Sequence, residues 1–563
     1  MTFSLRTRTL PALSTLTLAM LQSWAVYAQT APNAGQVSRE AQQQPAQALP
    51  QAAPTLRVEG VPASSASSND VRFVVKSFQI SGNTAIPTPE LQALLSDLVG
   101  NQQSLLTLNG AAERITTYYR SHGYAVARAY LPAQDIKDGA VAIAILEGRI
   151  DKHLLKNGSR LSDQRANGYI EQTETGTAIR SAQVDRSLLL LNDTPGVGSA
   201  RATLQPGASV GTSDLVVELD PAAPYAGSVS FDNYGNRYTG QYRLGAALFI
   251  NSPLHIGDQL SFSGLTSDQS MTYARLAYQL PVGIDGLRLG AAYFDTRYRL
   301  GKEFASLNAH GKANSASVFA TYPFIRSQQS NLSGSANLEQ KNFTDVVDRT
   351  ATTNDKQARL LNLGLTGNRQ DGLGGGGFNS LDLSLVFGRL NIKSPGALAI
   401  DAASAQSNGS YTRLSYAISR LQRLNESNQL SVSLSGQQAS KNLDSSEKFA
   451  LGGANGVRAY PQGEGIGDQG YLATLELRHE FSNVLQGTLF YDTGSVTINH
   501  NQYGTPAANS RTLGGVGVGV NAALKGIQVK ASLAWRTQGG DPTSVPASAA
   551  KTPTLLLQAS GAF

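Results

Sequence analysis

The stretch Leu430-Ser431-Val432-Ser433-Leu434-Ser435-Gly436-Gln437 decides the fold. Its apolar and polar residues take opposite parities and never mix. A period of two is the mark of a strand whose two faces meet different surroundings. The pattern recurs in 471–481, where Tyr471, Ala473, Leu475, Leu477 and Phe481 share one face. Thr474, Glu476, Arg478 and Glu480 share the other. It recurs again where Leu381, Leu383, Leu385 and Phe387 alternate with Ser380, Asp382 and Ser384. A charged face backing an apolar one is what lipid outside and water inside demand of a transmembrane barrel.

Working outward, about sixteen such segments fill 225–563, an even number as single-chain bacterial barrels require. The connections sort by parity. The even-numbered ones, at 280–284, 423–427, 481–484 and 524–526, are short. The odd-numbered ones, at 300–311, 392–409, 442–470, 496–510 and 539–551, are long. Short periplasmic turns and long outer loops are expected of such a barrel; a soluble sandwich has no reason to sort its loops this way. The fold class is therefore mainly β, a sixteen-stranded antiparallel transmembrane barrel.

Composition agrees. The chain has 563 residues, enough for several modules. Charged residues make up 15%, against roughly 25% in ordinary soluble domains. Mean hydropathy is −0.20, and no stretch after the N-terminal apolar run approaches the roughly 20 apolar residues that a spanning helix needs. The net charge of +6 is scattered, without the basic block expected of a nucleic-acid binder. There is no cysteine, which excludes disulfides and thiol chemistry.

Ahead of the barrel, four segments are expected. Residues 1–28 read as a signal peptide: Arg6 and Arg8 precede an apolar run, and cleavage falls after Ala28. Residues 29–70 are rich in Ala, Gln, Pro and Ser and read as a linker, with one short helix over 36–44. Residues 71–150 form a β-α-α-β-β module. Its strand covers 73–80, Thr88 caps a helix with Pro89 at its first position, and a second helix carries Ala112, Ile115 and Tyr119. Residues 151–222 repeat that order less clearly, with a helix over 182–192 and strands at 200–204 and 215–219.

Enzyme signals fail one by one. The six histidines are dispersed and no pair has metal-ligand spacing, so no metal or cofactor is expected. Gly514-Gly515-Val516-Gly517-Val518-Gly519 imitates a dinucleotide loop but lies in an alternating strand with no helix after it. Gly374 to Gly377 lacks the Lys-Ser/Thr of a phosphate loop.

Two motifs remain. Gly456-Val457-Arg458-Ala459-Tyr460-Pro461 lies in loop 442–470, and Asp492-Thr493-Gly494 lies on the thirteenth strand with Asp492 facing the lumen. With them the chain resembles the outer-membrane transporters of two-partner secretion, the TpsB family of the Omp85 superfamily. Val457 to Tyr460 matches the family's Val-Arg-Gly-Tyr, with Ala459 in place of glycine. Asp492 to Gly494 matches its Asp-x-Gly, and Asp232-Asn233 with Gly235 is similar to the start of its barrel. The stretch 191–196 with 211–215 is similar to its second POTRA domain.

The resemblance implies two POTRA domains in the periplasm, at 71–150 and 151–222, and a barrel over 223–563. It also implies a plug helix and an inward-folded loop 442–470. It implies a lock of Val457, Arg458 and Tyr460 on Asp492 and Gly494, with Glu476 as a rival partner for Arg458. Guanidinium and carboxylate suit this pairing physically, since a planar fork of donors meets two acceptor oxygens. The implied function is export of a large exoprotein, a haemolysin or adhesin, through the barrel. Its open POTRA edges, at 126–131 and 215–219, would take the unfolded client as an added strand. Outer-membrane lipids and the barrel assembly machinery are the other expected partners. The final strand carries Leu555, Leu557 and Phe563 on one face as the assembly signal. A barrel insertase of the same superfamily and a passive diffusion porin are the alternatives. Insertases usually carry three to five POTRA modules, and two periplasmic modules have no use in a porin.

Overall fold

The computed structural model describes residues 31–42, 55–58, 72–136, 138–504 and 508–563. The expected signal peptide lies outside the described residues. Sixteen antiparallel strands close on themselves, from Tyr225–Asp232 to Thr554–Ala562. They are numbered here as barrel strands 1 to 16. Strands 1 and 16 pair, with Ser228 opposite Ala562 and Asp232 opposite Gln558. Gly227 and Phe563 exchange two backbone hydrogen bonds of 2.9 and 3.0 Å. Closure satisfies every ladder and leaves no edge strand, which is the condition for β structure in lipid.

The two faces divide as the alternation requires. On strand 12 (Gln469–Ser482), Leu475 and Leu477 face outward and are exposed, whereas Glu476 points into the lumen. On strand 13 (Leu485–Thr497), Leu489 and Tyr491 face outward while Phe490 and Asp492 are buried inside. One rim carries turns of two to four residues, at 283–286, 424–427, 483–484 and 525–526. The other carries long loops, at 300–308, 393–408, 440–468 and 539–553. The parity reading holds for most connections; the exceptions are 268–271 and 348–351, of four residues each on the long-loop rim, and 252–258, of seven residues on the short-turn rim.

The first periplasmic module runs Ser77–Ser81, Thr88–Ala93, Leu105–Ser121, Arg128–Tyr130 and Ala140–Leu146. Ala140–Leu146 is the central strand, parallel to Ser77–Ser81 and antiparallel to Arg128–Tyr130. Leu91, Leu108, Ile115, Tyr119, Val141 and Ile143 form a core of its own. Burying such a side chain contributes about 1.5–3 kcal/mol. The second module repeats the topology. Its central strand Thr212–Pro221 is parallel to Arg149–Asn157 and antiparallel to Val197–Pro206. Helices Asp163–Ile170 and Ser181–Asn192 pack on it.

Several expectations need correction. The strand expected over 73–80 is two strands, Arg72–Val74 and Ser77–Ser81, because Val75 turns into the core between them. Thr88 is the first helical residue; the N-cap is Pro87. The second module opens with strand Arg149–Asn157, so a boundary between 150 and 151 would cut through it. Its composition masked it, since only Ile150, Leu154 and Leu155 of its nine residues are apolar and they do not alternate. Residues 215–219 are not an edge, because their strand is paired on both sides. The module's own edges are Arg149–Asn157 and Val197–Pro206, and the second is already occupied: residues Thr55–Val58 of the linker pair with it in parallel, Thr55 opposite Arg201 and Val58 opposite Leu204. The short helix spans Ala34–Gln42 rather than 36–44.

Candidate functional site

The barrel lumen is filled from two directions. From the extracellular rim, loop 440–468 folds inward and brings its tip against strands 12, 13 and 14 (Ser510–Leu524). Arg458 donates its backbone N–H to Asp492 Oδ2 at 3.1 Å and its Nε to the same oxygen at 2.9 Å. Its Nη2 reaches Asp492 Oδ1 at 2.8 Å, and its Nη1 reaches Glu476 Oε1 at 2.8 Å. Asp492 and Glu476 are therefore joint rather than rival partners. Thr474 Oγ1 adds a bond to Asp492 at 3.1 Å, and Arg478 holds the other oxygen of Glu476 at 2.6 Å. The Asp492 side chain is 1% exposed and that of Arg458 16%. A charge pair this dry survives because almost every oxygen is bonded.

Packing completes the lock. The guanidinium of Arg458 sits 3.4 Å from the centre of the Phe490 ring, a cation over an aromatic face. Val457 and Tyr460 are fully buried, in a cluster with Leu451, Phe490, Val496 and Leu513. The Tyr460 hydroxyl donates to the carbonyl of Gln538 at 2.7 Å or of Gly540 at 2.8 Å. Ala459 has no left-handed backbone, so it stands where a glycine was expected without strain. Gly494 lies under Leu451: a Cβ there would come within 2.5 Å of the leucine Cδ1.

Sequence reading missed what makes room for this tip. The lumen-facing positions of strand 14 are Gly515, Gly517 and Gly519. A Cβ on Gly515 would stand 2.6 Å from the Ala459 Cβ, and one on Gly517 would stand 2.2 Å from the Phe490 ring. The glycine series dismissed as a nucleotide loop is thus the seat of the loop tip and of the ring beneath Arg458. The detectable signal was its parity from Gly515 onward: Gly515, Gly517 and Gly519 take the inward positions, and Val516 and Val518 the outward ones, with a bulge separating Gly514 from Gly515.

Two further buried carboxylates pin the loop. Glu464 accepts from Arg511 Nη2 at 2.8 Å and from the backbone of Thr543 and Ser544 at 2.9 and 2.8 Å. Asp468 accepts from Lys448 at 2.9 Å, from the backbone N–H of Leu443 at 3.0 Å and from that of His500 at 2.8 Å.

The second obstruction is helix Ala34–Gln42. It lies inside the barrel, with Val37 and Ala41 buried against residues of the strand walls such as Phe294, Phe343 and Leu360. Asp345 accepts the Ala34 N–H at 2.7 Å, and Ser445 donates to Asn33 at 2.6 Å. Arg39 donates to the carbonyl of Lys448. A Cβ on Gly35 would meet Ser445 Oγ at 2.8 Å and Ser446 N at 2.9 Å, so the helix is pressed against the loop itself. Loop and helix form one polar assembly, not two independent stoppers.

At the periplasmic rim the second module is bolted to the turns. Asp193 takes a two-pronged bond from Arg326, at 2.6 and 2.7 Å. Gln172 donates to the carbonyl of Ile284 at 2.7 Å, and Arg186 to that of Pro323 at 3.1 Å. Leu555, Leu557 and Phe563 all face outward on or beside strand 16. No cluster of three or more metal-ligating side chains exists among the described residues.

The family model for the haemolysin secretion/activation protein ShlB/FhaC/HecB matches residues 211–522. The model for the ShlB-type POTRA domain matches residues 73–148. The chain is 30% identical over 522 residues to the Heme/hemopexin transporter protein HuxB of Haemophilus influenzae, covering 90% of this chain and 92% of that one. It is 23% identical over 490 residues to the Outer membrane transporter CdiB of Dickeya dadantii, covering 84% of each. Among solved structures, CdiB from Escherichia coli superposes with a TM-score of 0.69 at 19% identity, over 94% of this chain and 96% of that one. The last likeness shows the shared fold.

Proposed function

The chain belongs to the haemolysin secretion/activation protein family ShlB/FhaC/HecB, and from that premise we propose that the Arg458 loop and helix Ala34–Gln42 together form its resting gate. The protein is an outer-membrane transporter of two-partner secretion: it moves an exoprotein from the periplasm, where its POTRA region lies, to the cell surface. The observation that supports the gate is the set of three hydrogen bonds that Arg458 donates to Asp492 within a lumen that the helix shares.

The client is read as one large secreted exoprotein, a haemolysin or adhesin; the relative HpmB of Proteus mirabilis is called a hemolysin transporter. The module over 149–221 is read as a second POTRA domain, because it repeats the strand order of the first. An extended client adds to Arg128–Tyr130, which has one unpaired side, or displaces Thr55–Val58 from Val197–Pro206. Displacing that linker strand pulls on the helix thirteen residues upstream, which couples client arrival to unplugging. Leu555, Leu557 and Phe563 are read as the mark used by the barrel assembly machinery. The reading includes no catalytic step and no cofactor; folding of the client outside supplies the direction.

Deleting the gene tests this. Retention or degradation of a large exoprotein in the periplasm, with other barrels at normal abundance, is the expected result. Loss of many outer-membrane barrels would mean an insertase. Normal client secretion with reduced small-solute uptake would mean a porin.

A further inference from the structure

The outer wall of the barrel is apolar around most of its circumference and basic in one sector. On strands 5 (Leu287–Arg299), 6 (Ala309–Arg326), 7 (Ser330–Val347), 8 (Thr352–Asp371) and 9 (Gly377–Ile392), the outward positions are marked by exposed Tyr293, Val318, Leu338, Leu363 and Phe387. Leu361 stands opposite Phe387 across strands 8 and 9. Two residues nearer the extracellular rim, on the same face, Arg359 stands opposite Arg389. Two like charges directly opposite in neighbouring strands repel. Arg359 gives its Nε to Gln340 at 3.1 Å. Arg389 has no partner among the described residues.

A second same-sign pair lies on this wall. Arg297 stands opposite Lys312 across strands 5 and 6. Arg297 is paired to Asp295 on its own strand at 3.0 Å, and Lys312 has no partner among the described residues. Along strands 1 to 4 and 11 to 16, no outward position carries lysine or arginine. Strand 10 (Gly409–Arg423) carries one outward cation, Arg420, at its periplasmic end and paired to Asp371 at 2.8 Å. A belt serving general contact with headgroups would run all the way round; toward the extracellular rim the outward cations are confined to strands 5 to 9. Cations on a lipid-facing wall are costly at mid-depth and nearly free of cost near the interface. Their place at the upper end of the apolar band is therefore where an anion is needed and available.

Directly beneath Arg359 the wall is hollowed. A shallow groove of about 840 Å³ is bounded by Tyr293, Val318, Leu338 and Leu361, with the small Ala316 between them and Gln340 and Arg359 at its upper end. A hydrocarbon trough capped by guanidinium groups fits an amphiphile with an anionic head. We propose that this sector binds the phosphorylated glycolipid of the outer leaflet, lipid A. One phosphate bridges Arg359 and Arg389, an acyl chain lies in the groove, and the Arg297–Lys312 pair takes the second phosphate. The guanidinium fork matches two phosphate oxygens at once, and the anion turns a repulsive pair into a bound site.

The test uses the full-length protein in detergent, titrated with three lipids: bisphosphorylated lipid A, its phosphate-free form and phosphatidylglycerol. Native mass spectrometry reads occupancy. The native protein should bind bisphosphorylated lipid A at least tenfold more tightly than either other lipid. The double variant Arg359→Gln/Arg389→Gln should lose that preference by tenfold while keeping heat-modifiable mobility. Equal binding of the phosphate-free lipid or of phosphatidylglycerol by the native protein would overturn the proposal, and so would full binding by the double variant. Should the variant fail to fold, the ranking of the three lipids on the native protein decides alone.

Discussion

Arg458 binds Asp492 through its backbone N–H as well as its guanidinium, so one carboxylate fixes both the position and the side chain of the loop tip. Arg458→Ala leaves Asp492 buried with Thr474 as its only side-chain donor among the described residues. Uncompensated burial of a charge costs roughly 3–5 kcal/mol. Both Arg458→Ala and Asp492→Ala should impair client secretion while the barrel still assembles. Secreted client is measured beside heat-modifiable mobility. Normal secretion from both variants would remove the lock from the mechanism.

Gly517 should tolerate no side chain. Its Cβ would meet the Phe490 ring at 2.2 Å and the Leu533 carbonyl at 2.4 Å. Gly517→Ala must push the ring from under Arg458, and overpacking of this kind costs about 1–3 kcal/mol. A lower melting temperature and a more protease-sensitive loop 440–468 are expected. Gly526→Ala, in an open turn with nothing within 4 Å, is strained by its positive φ but should leave the loop protected.

In the first module, buried Glu147 joins three elements. It accepts from the backbone of Thr84 and Ala85 at 2.6 and 2.7 Å, from Thr84 Oγ1, and from the Tyr119 hydroxyl at 2.8 Å. Burial works to raise its pKa, but the hydrogen bonds outweigh burial and hold it below the usual carboxylate range. A depressed folded pKa adds stability above the unfolded value, near 4.3, that disappears as pH falls through the folded value. Denaturation of the isolated periplasmic region should therefore show a plateau above about pH 5 and a fall below it. Glu147→Gln should lower the plateau by about 1–3 kcal/mol and flatten the acid limb. An unchanged limb would mean that Glu147 is not the group responsible.

Asp193 and Arg326 set how the second module meets the barrel. Both are partly exposed, at 34% and 22%, so the pair contributes about 1 kcal/mol at most. Asp193→Ala should nevertheless broaden the distance distribution between spin labels placed on Ser209 and Asn425. Unchanged distances would assign the docking to the remaining contacts, among them those of Gln172, Arg186 and Arg160.

The barrel was legible in the sequence because lipid and water impose opposite demands on alternate residues, and that demand is written in every strand. Arg458, Asp492 and Glu476 were named through the resemblance of two motifs to a known family, and the need of a charge confined in a lumen for a counter-charge agrees with that pairing. Less visible were elements whose role depends on what they touch. Strand Arg149–Asn157 has only three apolar residues and no alternation, and Glu147 follows an apolar strand with nothing local to announce its four donors.

What the sequence by itself determined is the class of fold, the parity of its loops and the inward side of each strand, because these follow from periodicity alone. Only the tertiary structure decided that one carboxylate serves both the backbone and the side chain of Arg458. It also decided that strand 14 needs glycine to seat Phe490, that the linker already covers the edge of the second module, and that Arg359 and Arg389 meet on the lipid side. These depend on register and on which strands become neighbours, relations between distant residues that no local pattern encodes.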